Sequence, residues 1–270
     1  MGRVVKIILG VVAAFIALFV VAAIALTLFF DPNDFREEIS GAVKEQTGRE
    51  LTIDGDISLE LFPWLAVEVN QASLGNAPGF GSEPMASFDS ARFSVRLLPA
   101  ILRQEVEVGA ADIEALRLTL EVNESGVSNW DDLVSASEAA PAEADGGGAS
   151  SIDVSSVEIL DAHIVYADKA AGQTSTLDNL NIRIGRLTDD GSPVPVNAAL
   201  EFDVQPTGLK GELEFDTTLT YDSSGGVLSL SGLTLEGVVD GIASIPTSLR
   251  FAADKVEAVS YTHLRAHETT

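Results

Sequence analysis

The sequence predicts a mainly β protein: an N-terminal transmembrane helix and a short amphipathic helix, followed by an elongated, mostly antiparallel β-sheet that is groove- or sandwich-like. Three observations predict it. An uncharged apolar run fills the N-terminus from Ile7 to Phe30. Beyond Gly48 the apolar residues recur every second position instead of every third or fourth, which is strand patterning. No long amphipathic helix follows that could cover those strands.

The apolar run is 24 residues long and is broken only by Gly10 and Thr27. As a helix it reaches roughly 36 Å, enough to cross a hydrocarbon core of about 30 Å. Arg3 and Lys6 precede it and Asp31 and Asp34 follow, so the positive flank stays cytoplasmic and the remainder is exported. The rival is a cleaved signal peptide, for which Ala23-Ile24-Ala25 supplies a small-x-small site. The residues after that site remain apolar (Leu26, Leu28, Phe29, Phe30), which favours an uncleaved anchor.

The chain has 270 residues, no cysteine, 41 Asp plus Glu against 16 Lys plus Arg, and a net charge of -25. Absent cysteine excludes disulfides, thiolate metal sites and cysteine nucleophiles. The acidity excludes nucleic acid, whose phosphates need clustered Lys and Arg. Residues 31 to 258 hold 40 acids and 13 bases, a net of -27. That part gains nothing from anionic headgroups by charge; any handling of lipid falls to its apolar surface.

Asp31-Pro32-Asn33-Asp34 reads as a helix start, with Asp31 at the N-cap and Pro32 at N1. Phe35, Ile39, Ala42 and Val43 follow at helical spacing, and Gly48 ends the helix. The helix is expected to pack on its own sheet. Strand runs follow: Leu51 and Ile53; Ile57, Leu59 and Leu61; Leu65, Val67 and Val69; Phe93, Val95 and Leu97; Leu116, Leu118, Leu120 and Val122. Asp54-Gly55 between the first two is a tight-turn signal, Pro63 marks a strand break, and Gly75 to Pro84 is a loop. Residues 135–150 are too poor in apolar side chains to bury anything and read as a low-complexity linker. Alternation then resumes from Ile152 to Phe251. The expected division is therefore 1–30 cytoplasmic stub and anchor, 31–134 first α+β region, 135–150 linker, 151–258 second β region and 259–270 tail.

A weak internal repeat runs at a spacing of 46. Val108, Asp112, Ile113, Leu118 and Gly126 correspond to Val154, Glu158, Ile159, Ile164 and Gly172, and Asp131 to Leu133 corresponds with one residue of slippage to Asp178 to Leu180. Such a period suggests a β unit used twice. So many one-faced strands need a cover, because exposed apolar area costs roughly 25 cal/mol per Å². A second sheet, a curled sheet and a bound apolar ligand each satisfy that need.

Several segments together carry a resemblance. Phe30-Asp31-Pro32-Asn33-Asp34-Phe35, Thr47-Gly48-Arg49-Glu50-Leu51, Gly55-Asp56-Ile57, Phe62-Pro63-Trp64-Leu65, Asn76-Ala77-Pro78-Gly79-Phe80 and Asn129-Trp130-Asp131-Asp132-Leu133 resemble, in wording and order, the N-terminal signature of the AsmA family. The resemblance implies an inner-membrane protein of a Gram-negative bacterium with its bulk in the periplasm. It also implies a role in outer-membrane biogenesis, through outer-membrane protein assembly or phospholipid movement between the membranes, and for larger relatives long apolar β troughs. Family members are longer than this chain, so a fragment is expected. Residues 259–270 break the strand pattern and resemble a translated adaptor sequence, and are set aside as a non-native tail.

No constellation points to catalysis. His163 stands between Asp161 and Asp168, but the other two histidines lie in the tail, so no second imidazole completes a metal site. Asp54-Gly55-Asp56 and Asp189-Asp190-Gly191 lack the further ligands of a calcium loop. No nucleophile elbow, phosphate loop or dinucleotide fingerprint occurs. No enzyme, cofactor or metal is therefore expected. Trp64 and Trp130 read as packing residues, and Asn129, Asp131 and Asp132 as local turn caps. The candidate lipid-facing set is Leu59, Leu61, Val67, Val69, Phe93, Val95, Leu118 and Leu120. Expected partners are the inner membrane, phospholipid and other envelope-assembly proteins. The competing reading is a structural tether with a closed β core and no lipid groove.

Overall fold

The computed structural model describes residues 31–60, 64–96, 108–133, 153–188, 191–222, 227–242 and 245–259. The expected anchor, the linker and all of the tail after Val259 lie outside them. Among the described residues no helix is long and apolar enough to cross a membrane.

The chain opens with a 3₁₀ turn, Pro32–Phe35, and continues into α1, Arg36–Thr47. The Asp31 carboxylate accepts the Asn33 backbone N–H at 2.9 Å and so caps the turn. Gly48 ends α1 in the left-handed region, with φ 70°. Thirteen strands follow: β1 Leu51–Ile53, β2 Ile57–Glu60, β3 Trp64–Leu74, β4 Ala86–Arg96, β5 Val108–Glu114, β6 Arg117–Val122, β7 Asp153–Asp168, β8 Gln173–Ile184, β9 Leu187–Thr188, β10 Val194–Gln205, β11 Leu209–Asp222, β12 Val227–Asp240 and β13 Thr247–Val259. They form one sheet with the main path β1-β3-β4-β5-β7-β8-β10-β11-β12-β13, while β2 extends β1 along β3, β6 lies between β4 and β7, and β9 pairs with β7. The path is open, and among the described residues there is neither a second sheet nor barrel closure.

The sheet is antiparallel except at one place, where β5 and β6 both run parallel to β7. Val108 pairs with Val154, Ile113 with Ile159, Leu118 with Ile164 and Val122 with Asp168. This is the 46-residue repeat laid side by side in register. The likeness reaches the backbone: Ala115 and Asp161 share a positive φ (52° and 53°), as do Gly126 and Gly172 in the following turns. Parallel pairing requires the chain to re-enter β7 at the same end of the sheet at which β5 begins. The regions on either side of the linker are thus joined in a single sheet.

A line of irregular residues crosses the strands at one level. Gln71 in β3, Ala115 between β5 and β6, Asp161 in β7 and Asn179 in β8 all have φ between 47° and 53°. Gln71 stands opposite Asp89 of β4, since Asn70 pairs with Ser90 and Ala72 with Phe88. Each of these strands carries one extra residue at this level, so its apolar positions step by three instead of two: Val69 to Ala72, Phe88 to Ala91, Ile113 to Leu116, Ile159 to Ala162, Leu177 to Leu180. Extra residues bend and further twist a strand. Their alignment turns single bulges into a crease across the sheet.

Asp54-Gly55 is part of this crease and not a hairpin turn, contrary to the sequence expectation. β1 and β2 pair with the same strand in the same direction, Ile53 opposite Ala72 and Ile57 opposite Val69. They are one edge strand interrupted by Asp54-Gly55-Asp56. The Asp54 N–H donates to Gln71 O at 2.8 Å, which holds the interruption against β3. The many short runs read from the sequence likewise merge: Val154 to Ile164 belongs to the 16-residue strand β7.

The edge is closed by the segment before it. Asn33 Oδ1 accepts the Ile57 N–H at 2.9 Å and Asn33 Nδ2 donates to the Ile57 carbonyl at 3.2 Å. Arg36 donates to the Gly55 carbonyl at 2.8 Å. Side chains thereby occupy backbone groups that an edge leaves free. α1 contacts β1 as expected but buries none of its own residues.

A Cβ at Gly55 would stand 2.5 Å from the Asn70 carbonyl oxygen. We expect Gly55→Ala to lower unfolding stability by about 1–3 kcal/mol, read as a reduced midpoint in urea.

Candidate functional site

Cross-strand partners in a sheet lie on one face, so the pairing register sorts the side chains. On one face Leu59 pairs with Val67, Val67 with Phe93, Leu65 with Val95, and Ile57 with Val69. Leu118 pairs with Ala86 and Ile164, and Leu120 with Tyr166. The predicted lipid-facing residues therefore share one surface; Leu61 lies outside the described residues. The same face continues through Ile182 and Ala198, Phe202 and Leu177, Leu200 and Leu213, Ala198 and Phe215, Leu235 and Phe251, and Leu230 and Val256. These residues of β8 to β13 were absent from the candidate set, although the same alternation marks them.

The face is apolar along its length, yet little of it is buried. Phe93 is 52% exposed, Phe251 54%, and Val67, Leu228, Leu249 and Val256 are also exposed. Near β1 the buried residues Ile53, Ile57 and Ala72 form a cluster joined by Leu51, Val69 and Phe88, and single buried positions such as Ala162, Leu180 and Val194 lie farther along. Exposed contiguous apolar patches above a few hundred Å² are rare on monomers and mark binding surfaces.

The opposite face is charged. Glu68 pairs with Arg92, Arg92 with Asp112, and Asp112 with Glu158. Glu201 pairs with Glu212, and Glu214 with Glu236. This face holds a depression of about 590 Å³ lined in part by Glu68, Asp89, Asp112, Glu114 and Glu158, and another of about 590 Å³ lined in part by Glu201, Glu212, Glu214 and Glu236. Among the described residues no cluster of three or more His, Asp or Glu is placed to hold a metal. The His163 Nδ1 lies 2.5 Å from Asp178 Oδ1, and both side chains are nearly half exposed. Its partner is Asp178, neither of the acids nearest in sequence. Asp112 titrates above its ordinary value of 3.8, first because burial disfavours its charge and then because Glu158 is beside it.

The signature segments meet elsewhere, in a buried polar clasp at the end of the sheet where β1 begins and β6 ends. Arg49 is 2% exposed. It donates to the Asn129 carbonyl at 2.5 Å and to Asp132 Oδ1 at 2.5 Å, with Nε 3.3 Å from Asp132 Oδ2. Asn129 is wholly buried. Its side chain accepts the Glu121 N–H at 3.0 Å and donates to Thr119 O and Asn76 Oδ1, each at 2.9 Å. The segments around Arg49, Asn76 and Asn129, far apart in sequence, thus converge. Asp131 is a local cap as expected, accepting the Ser128 N–H and hydroxyl. Asn129 and Asp132 are not local caps: their partners lie on β6, the loop after β3, and Arg49. Sequence reading held Arg49 only within a family segment and gave it no role, because its partners Asn129 and Asp132 lie far along the chain. Trp130 stacks at a tilt on Tyr166, with ring centroids 6.2 Å apart. Trp64 opens β3.

Asp132→Ala strands a buried guanidinium and is expected to cost about 2–4 kcal/mol, whereas Asp131→Ala, which removes only the contacts to Ser128, is expected to move the urea midpoint far less; urea denaturation of both separates clasp from cap. For Asp112, a raised folded pKa means the folded state holds the proton more tightly, so stability falls as pH rises through that value. Asp112→Asn is therefore expected to be more stable than the parent at pH 7, with the gain vanishing toward pH 3.8 and below, measured as the difference in urea midpoints.

Comparison with known proteins gives a family and one curated relative. The family model described as AsmA family matches residues 1–234. Protein AsmA of Escherichia coli (strain K12) is 26% identical over 160 residues, which is 59% of this chain and 25% of that protein. This chain thus aligns with about a quarter of its relative's length. No solved structure matches. The family match takes in every signature segment that builds the clasp and runs on through the parallel repeat into β12, and the chain belongs to the AsmA family.

Proposed function

We propose that this chain is part of a non-enzymatic protein of envelope biogenesis, held in the inner membrane by residues 1–30 with its bulk in the periplasm. Its apolar sheet face shields phospholipid acyl chains during transfer between the membranes. The observation that carries this reading is the half-exposed apolar face, continuous from β1 to β13 and backed by a charged face. A surface of that kind lowers the cost of removing an acyl chain from a bilayer, about 0.8 kcal/mol per methylene left in water. Family membership adds the envelope context. No nucleotide site was read in the sequence, so lipid moves down its own gradient or is driven by other components. Support for outer-membrane protein assembly rests on the family alone. The tether with a closed core would need the apolar face covered by parts of the chain beyond the described strands.

Photo-crosslinking from adjacent positions of one strand tests the proposal. With the crosslinker at Phe93 or Val67, phospholipid adducts are expected by mass spectrometry. From Arg92 or Glu68, on the other face, none are expected. Equal labelling of both faces, or protein adducts alone from Phe93, contradicts the lipid reading.

A further inference from the structure

We infer that the apolar face takes acyl lipids whose headgroups carry no net charge and discriminates against anionic ones. This rests on the proposed lipid-shielding role and adds the class of cargo. The argument is one of charge. No Lys or Arg occupies an apolar-face position in any described strand, because Arg92, Arg117, Arg183, Lys210, Arg250 and Lys255 all pair within the charged face and Arg96 of β4 stands in phase with Arg92. A bound phosphodiester with net negative charge would therefore find no cation beside its acyl chains.

Most of the other described cations are already engaged, and Lys210 stands between Asp203 and Asp240 in the pairing register. Arg92 lies 2.5 Å from Glu60, Lys169 2.6 Å from Glu121, Arg250 3.2 Å from Glu236, and Lys255 2.5 Å from Glu257. Arg183 lies 3.5 Å from Glu158 and Arg117 3.6 Å from Asp89. Arg49 is sealed in the clasp against Asp132. At each of these pairs an anionic headgroup would have to displace a carboxylate from its partner, and everywhere it would face an exported region of net charge -27, counted over residues 31 to 258. A zwitterionic headgroup meets neither penalty: its ammonium group is attracted by the surplus acids while its phosphate stays in water. At about 0.1 M salt the field of those acids reaches roughly 10 Å, enough to cross the thickness of a single sheet to a headgroup at its rim.

The full chain, reconstituted with a photo-crosslinker in place of Phe251, tests this. Phe251 is already exposed, so the replacement leaves the fold intact; a second chain with the crosslinker at Phe93 controls for position. Vesicles contain phosphatidylcholine and phosphatidylglycerol in equal amounts with identical acyl chains. At low salt the phosphatidylcholine adduct is expected to exceed the phosphatidylglycerol adduct by roughly three- to tenfold, with the ratio falling toward one in 0.5 M sodium chloride. Equal labelling at low salt, or an excess of phosphatidylglycerol, overturns the inference and leaves the lipid-shielding role standing. Absence of any lipid adduct from both positions overturns the two together.

Discussion

The architecture depends on one separation: oily side chains on one side of a single sheet and charged ones on the other. Within the described strands the sheet has no second layer, so the segregation is not resolved internally as it is in a sandwich. Val67, Phe93, Leu228, Leu249, Phe251 and Val256 remain exposed along the main path. The hydrophobic effect that ordinarily closes a core is here left unsatisfied over most of the surface. An apolar occupant of that face, or chain beyond the described strands, would recover it.

The crease shows how that separation is preserved. A lone extra residue in one strand would move every later side chain to the wrong face, because the side-chain period is two. When Gln71, Ala115, Asp161 and Asn179 each take the left-handed conformation at one level, the phase change is shared and the faces remain intact. Single non-glycine residues in that region cost about 1 kcal/mol or more. The bend they impose is thus bought with local strain in strand after strand. The clasp of Arg49, Asn129 and Asp132 plays a different part, fixing one end of the sheet by holding the buried Arg49 and Asn129 in hydrogen bonds.

Much of this was legible in the residue order. Alternation located the strands and their oily sides, and the step of three between Ile113 and Leu116 already contained the crease. The 46-residue correspondence anticipated the parallel pair, although sequence similarity alone does not say that two repeats lie beside each other. Asp54-Gly55 misled, because the same dipeptide serves a hairpin and a bulge; the choice is made by Gln71 on a strand read separately. Arg49 and Asn129 were opaque for a related reason. Their partners are 83 and 53 positions away, and no local pattern encodes such a meeting.

The two borders of the sheet are unlike. Beside β2, the amide of Asn33 occupies the outward backbone groups of Ile57, so no further strand can add there. Among the described residues no strand pairs with the outer side of β13, where Leu249, Phe251 and Val256 continue the apolar side. Addition is therefore polar in the manner of a filament with one blocked end. Any strand recruited to β13, from whatever source, would lengthen the oily track by about 4.8 Å and leave its origin fixed.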